Sequence, residues 1–308
     1  VVKRPKSDFW TVGIVPERLD RLTPQRLREL RERIVWMPPA GDWCYYADPF
    51  AMREGDQLHV FVEHFDYRTK RADLQRLTLD LRDGRWGAPE PVLRQPFHLS
   101  YPFVFEDEGQ VWMVPESSQA EEVALYRAVD GHARSTRWER VRALLPARAV
   151  DASLLKHDGR WWMFYALIGP DKQDQRELHV AFADSLQGPW TPHAANPVRS
   201  AHDGARPAGT PFIDAQGHVT LPVQDSRTSY GGAARWVRFD RLTPDTVEVR
   251  ALPETFTGDL AHDGFASGLH TMSACGDFTL IDVKRIERSR HRQWLDWKRR
   301  MRRWLGQR

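Results

Sequence analysis

Five copies of one hairpin pattern run through this chain of 308 residues, and no other feature restricts its fold as much. Each copy has a small or polar residue, a short apolar stretch, a Gly-containing turn and a second apolar run. The first reads Asp48-Pro49-Phe50-Ala51-Met52, turns at Gly55 and returns as Leu58-His59-Val60-Phe61-Val62. The others begin at Tyr101, Asp151, Gly209 and Gly268, so the spacings are 53, 50, 58 and 59 residues. β-branched and aromatic residues flanking a Gly turn make a hairpin, and a hairpin repeated at this period is one blade of a ring. A pair of β-sandwiches gives no reason for a sustained period. The expected fold is therefore all-β: a five-bladed β-propeller over residues 36–285.

Two pieces lie outside the repeat. Residues 1–35 read as an N-terminal segment with a short helix at Thr23–Leu30, where a Thr cap and Pro24 at the first position start the turn. Residues 286–308 read as a basic amphipathic C-terminal helix. From Lys284 onward stand eleven Lys and Arg against Glu287 and Asp296, a net +9 that leaves the rest of the chain near −6. Trp294, Trp297, Met301 and Trp304 recur there at helical spacing. Such a helix suits an anionic membrane surface through residues 290–308, or it docks its Trp face on the propeller and leaves its Arg face solvated. Nothing in the body supports nucleic-acid binding.

The two cysteines, Cys44 and Cys275, exclude a disulfide framework and make a reducing compartment the default. No apolar run approaches the roughly 20 residues that span a bilayer. The expected location is the cytoplasm, peripheral to the inner face of the membrane. There is no phosphate-cradling Gly loop, dinucleotide fingerprint or Cys/His zinc spacing, so we expect neither cofactor nor metal.

Equivalent positions in a propeller gather at one mouth of the central channel. Asp48, Tyr101, Asp151, Gly209 and Gly268 form one such set, and Glu63, Glu116, Ala166, Gln224 and Val283 form a second. Carboxylates near an apolar core are costly unless used. Asp48, Asp151, Glu116 and Glu63 are thus the candidate catalytic residues, in a pattern that glycoside chemistry requires: one carboxyl to protonate a leaving oxygen, another as base. The competing reading for Asp48 and Asp151 is a turn cap. Arg206 either clamps an anionic substrate group or neutralises one of these carboxylates. Candidate substrate contacts are Arg206, Tyr101, His270, Tyr46, Gln224 and Asp203. Trp43 and Tyr45 are further aromatic candidates for stacking on a sugar ring.

The segments Ala47-Asp48-Pro49-Phe50, Val150-Asp151-Ala152-Ser153 and Gly204-Ala205-Arg206-Pro207-Ala208-Gly209 resemble the blade starts of glycoside hydrolase families 43, 32 and 130. More closely, they resemble the N-terminal propeller domain of the glucosamine inositolphosphorylceramide transferase family, over roughly residues 8–285. The glycosidase resemblance implies Asp48 as general base and Asp151 as the residue that orients the acid. It also implies a general-acid Glu at the start of the fourth blade, where this chain has none. Either Glu116, Glu63 or Asp203 serves instead, or ordinary glycosides are not hydrolysed. The leading expectation is an enzyme that cleaves glycosidic linkages of a carbohydrate substrate. The alternatives are transfer from an activated sugar in glycolipid or polysaccharide synthesis, and a non-catalytic sugar-binding propeller.

Overall fold

A computed structural model describes residues 4–169 and 176–304 of the chain. Its core is a mainly β five-bladed propeller, each blade an antiparallel sheet of four strands, with one short extra strand on the third. The first blade is Cys44–Glu54, Gln57–Asp66, Arg71–Asp80 and Glu90–Leu93, from axis to rim. The second and third start with inner strands Ser100–Asp107 and Ala149–His157. All three inner hairpins turn on Gly with positive φ: Gly55, Gly109 and Gly159.

The ring is closed by residues that the repeat does not mark. Lys6–Val15 pairs along its whole length with Phe278–Arg288, from Lys6 opposite Arg288 to Val15 opposite Thr279. The fifth blade is thus Gly268–Cys275, Phe278–Arg288, Lys6–Val15 and the short outer strand Val35–Trp36. The stretch read as lying outside the propeller supplies the third strand of its last blade and the first residue of the fourth. Alternation in Phe9-Trp10-Thr11-Val12 carries the strand signal, but its partner lies some 270 residues away.

The short helix forms as expected, as α1 (Pro24–Leu30), with the Thr23 hydroxyl accepting the Arg26 N–H at 3.0 Å. Its Leu27 and Leu30 are buried with Val15, Trp236 and Phe256, which plugs it between the fourth and fifth blades. The basic stretch forms α2 (Arg290–Trp304). Cys44 and Cys275 are both buried free thiols.

A β-bulge interrupts the same place in four inner strands. Pairing skips between Ala47 and Phe50, Ser100 and Phe103, Val150 and Ser153, and Leu269 and Met272. Two residues there oppose one, which bends the strand and re-aims a side chain. Asp48, Tyr101 and Asp151 each open a bulge with φ near +50°. In the fifth blade the bulge holds His270 and Thr271, so His270, not Gly268, is the counterpart of Asp48. The fourth inner strand is broken: Pro207 bridges Val223, and regular pairing resumes only at Phe212–Ile213. Gly209 there has φ +137°, and a Cβ on it would come within 1.8 Å of the Met272 carbonyl oxygen. Only glycine lets the two inner strands touch at that point.

Candidate active site

The bulges deliver their side chains to a cavity of about 150 Å³ at the axis. Asp48, Glu63, Glu116, Arg206 and His270 line it, with Trp10, Tyr45 and Tyr230 as aromatic walls. Strand pairing explains part of this set. Ala47 opposes Glu63 and Tyr45 opposes Phe65, so alternation puts Tyr45, Glu63 and Phe65 on one face. Tyr46 points the other way and packs among Val60, Val62 and Leu77, which removes it from the expected substrate contacts.

Around Asp48 the groups form a buried network joining the first and fifth blades. The Thr271 hydroxyl donates to Asp48 Oδ1 at 2.9 Å, and the Tyr101 N–H donates to Oδ2 at 3.3 Å. His270 Nε2 lies 3.6 Å from Oδ1. Its other nitrogen, Nδ1, is 2.7 Å from Asp282, a fully buried carboxylate that also accepts the N–H groups of Asp48, His270 and Thr271. Trp10 stacks on the imidazole with ring centres 3.8 Å apart. Burial pushes the His270 pKa down, but Asp282 and Asp48 outweigh it and the net shift is upward. Asp48 is raised to about 6, chiefly by burial, against the pull of His270. Asp48, His270 and Asp282 each offer one ligand atom within 4.8 Å of the others, close enough to grip a cation. Asp282, however, already accepts three backbone N–H groups and the imidazole, so the trio is better described as a proton-holding network.

Across the cavity, Arg206 is committed. Its Nε donates to Asp151 Oδ2 at 2.5 Å and its Nη2 to Oδ1 at 3.1 Å, a bidentate buried pair. Gln224 Nε2 donates to the same carboxylate at 3.0 Å. Arg206 therefore neutralises Asp151, and Gln224 braces it. Arg206 Nη2 is 3.6 Å from Glu116 Oε2, and the Ser118 hydroxyl donates to Glu116 Oε1 at 3.1 Å. Glu116 is nevertheless raised to about 8, first by burial and then by Asp151. Glu63 is pushed well above the carboxylate range by burial, with Asp48 and Glu116 adding to it. Its nearest described cationic group is His98, 3.5 Å away, whose own pKa burial lowers to about 4. Glu63 thus has a neutral neighbour rather than a counter-ion.

Two further expected contacts fall elsewhere. Tyr101 is completely buried, and its hydroxyl meets Ser153 Oγ at 2.8 Å and the Gly209 N–H at 2.5 Å. It ties the second, third and fourth blades together. Since Tyr101 shares the left-handed backbone of Asp48 and Asp151, that strained conformation belongs to the propeller rather than to catalysis. Asp203 is held by Arg199 at 2.8 Å and Arg235 at 3.1 Å, outside the cavity lining, so it is not the missing acid.

The residues that sequence reasoning missed are Trp10, His98, Tyr230 and Asp282. Asp282 opposes the fifth bulge, and its role is invisible until that bulge is located. Tyr230 faces Arg206, whose guanidinium lies 5.6 Å from the ring centre, and its carbonyl accepts from buried Lys284.

Comparison with known proteins agrees with the propeller fold. Among solved structures, the chain resembles an α-L-arabinofuranosidase from Podospora anserina, with a TM-score of 0.59, 13% identity and coverage of 75% of this chain and 78% of that one. It also resembles a glycoside hydrolase family 43 enzyme from Xanthomonas citri, with a TM-score of 0.56, 12% identity and coverage of 82% and 90%. At such identities the likeness establishes the fold alone. In sequence, the chain is 32% identical over 206 residues to glucosamine inositolphosphorylceramide transferase 1 of Oryza sativa subsp. indica, covering 65% of this chain and 27% of the relative. Against the protein of the same name from Arabidopsis thaliana it is 27% identical over 281 residues, covering 83% and 35%. The chain thus spans about a quarter to a third of the length of these relatives. The family model for glucosamine inositolphosphorylceramide transferase 1, N-terminal, matches residues 40–263, and the chain belongs to that family.

Proposed function

We propose that the central cavity binds one sugar unit and transfers it in the synthesis of a glycolipid or a related glycoconjugate. Hydrolysis was the leading expectation from the carboxylates alone, and family membership moves the weight to transfer. One observation carries the reading. Two carboxyl groups lining a single small cavity straddle neutral pH, Asp48 at about 6 and Glu116 at about 8. General acid–base catalysis works best when both pKa values lie near the operating pH. Near pH 7, Asp48 is mostly ionised and Glu116 mostly protonated. Asp48 takes the proton as the acceptor hydroxyl oxygen bonds to the anomeric carbon. Glu116 gives its proton to the leaving oxygen as that bond breaks. The cavity is smaller than the roughly 300–1,000 Å³ usual for ligand pockets, which suits one ring rather than an oligosaccharide.

The substrate class follows from charge. Glu63 is raised well above the carboxylate range with only neutral His98 beside it among the described residues, so its ionised form lacks a cationic partner. An amino sugar would bring the missing cation, and the relatives carry glucosamine in their name.

A second reading, a sugar-binding propeller without chemistry, is favoured by the hydrogen bonds that already engage both Asp48 oxygens. Titration calorimetry with glucosamine and glucose, paired with a transfer assay on a responsive donor, separates the two. Asp48→Asn should keep sugar binding and lower turnover by about 100-fold or more. Unchanged turnover would overturn the transfer reading. Failure of glucosamine to bind, or equal binding of glucose, would overturn the amino-sugar assignment.

A further inference from the structure

Helix α2 has two faces, and only one is used by the propeller. On the inner face, Leu295 is buried against Phe9 and Tyr67. The Arg292 guanidinium lies 4.3 Å from the Tyr67 ring centre and donates to Ser7 Oγ at 3.2 Å. Asp296 binds Arg292 at 3.1 Å and Arg299 at 2.6 Å. The helix is therefore seated by Leu295 and its polar neighbours, not by tryptophan.

The outer face carries the tryptophans. Trp294 is 48% exposed, Trp297 57%, Met301 37% and Trp304 79%, one stripe along the helix. Exposed Arg290, Lys298 and Arg300 flank it. A scattered exposed apolar residue needs no explanation, but a contiguous stripe with three indoles does. Indole suits the boundary between head groups and acyl chains, and the flanking cations suit anionic head groups. A second copy laid stripe to stripe would bring three cations from each side together, which disfavours self-association.

We propose that α2 is an interfacial helix that seats the propeller on an anionic bilayer. Its position relates this surface to the cavity. Trp43 stacks on His291 of α2 with ring centres 4.8 Å apart and borders a groove of about 510 Å³. Trp10 and Tyr45 line the same groove and also wall the central cavity. A bilayer held by α2 lies beside the cavity mouth, where the head group of a lipid-linked sugar can enter. The lipid contact itself does not rest on the transfer reading.

Vesicle flotation with the whole chain tests it, using equal parts phosphatidylglycerol and phosphatidylcholine against phosphatidylcholine alone. The chain should float with the anionic vesicles at low salt, less so at high salt, and with a blue shift of tryptophan emission. Combined Trp294→Ala, Trp297→Ala and Trp304→Ala should lower the bound fraction about tenfold or more, and Arg290→Glu, Lys298→Glu and Arg300→Glu should do the same. Both variants alter exposed positions, so melting temperature and circular dichroism should match the parent. Equal binding to neutral vesicles, or unchanged binding by either variant, would overturn the proposal. So would a dimer in vesicle-free sedimentation that the Trp variant abolishes. These vesicles contain no sugar, so either result leaves the cavity reading to its own test.

Discussion

Asp48 and Asp151 occupy the same bulge in different blades, with the same left-handed backbone, yet their surroundings differ. Asp151 faces a bidentate guanidinium and a donating amide. Asp48 faces an imidazole shared with Asp282, a hydroxyl and one N–H, and its pKa rises to about 6. One backbone device thus yields a braced carboxylate on one side of the cavity and a proton-exchanging one on the other. Position in the repeat sets where a side chain goes; what faces it sets what it does.

The braced side should be the more fragile. Arg206→Ala strips a buried cation from Asp151 and Glu116 and should cost about 3–5 kcal/mol in denaturant unfolding. A loss below about 1 kcal/mol would mean that Asp151 is already solvated and that the contrast is false. The opposite sign is expected for Glu116. Its folded pKa of about 8 exceeds the usual carboxyl value, so the folded state holds a proton that the unfolded chain releases. Its contribution to stability is fully present below the unfolded pKa and is lost as pH rises to about 8. Glu116→Gln should therefore stabilise the protein at pH 8, by up to about 4 kcal/mol, and flatten the decline between pH 5 and 8. Destabilisation at pH 8 would place Glu116 among the braced groups. The smallest effect should come from Asp48→Asn. Its amide oxygen still accepts the Tyr101 N–H while the Thr271 hydroxyl turns to accept from the amide. Removing a carboxylate whose pKa is raised to about 6 should lift the melting temperature by a few degrees at pH 7. A large drop would make Asp48 structural.

How much of this was legible in the sequence depends on how local each signal is. The hairpins of the first three blades stand out because a Gly turn and two apolar runs are contiguous. The fifth blade draws its outer strands from Lys6–Val15 and Val35–Trp36, and no local pattern reveals a partner at the far end of the chain. Counting along the repeat found Asp48, Asp151, Glu63 and Glu116, but it placed Gly268 where His270 stands. The arm from bulge to turn is shorter in the fifth blade, 6 residues from His270 to Gly276 against 7 from Asp48 to Gly55 and 8 from Asp151 to Gly159. Tyr45 and Tyr46 both stood as aromatic candidates, and alternation back from Ala47, the partner of Glu63, selects Tyr45. Arg206 was identified with two roles open, and distance to Asp151 decides for neutralisation. In α2 the periodicity was plain, but the docking reading assumed that the helix would bury its tryptophans, whereas Leu295, Arg292 and Arg299 do the docking.

The difference between the two sides of the cavity is finally a difference in protonation, and it can be read without any substrate. In a chain labelled with carbon-13 at the Asp and Glu carboxyls, Asp48→Asn and Glu116→Gln assign two resonances, which are then followed from pH 3 to 10. We predict that Asp48 titrates near pH 6 and Glu116 near pH 8. If both titrate below pH 5 like exposed carboxylates, the cavity holds no poised acid and base, and the proposed chemistry is contradicted.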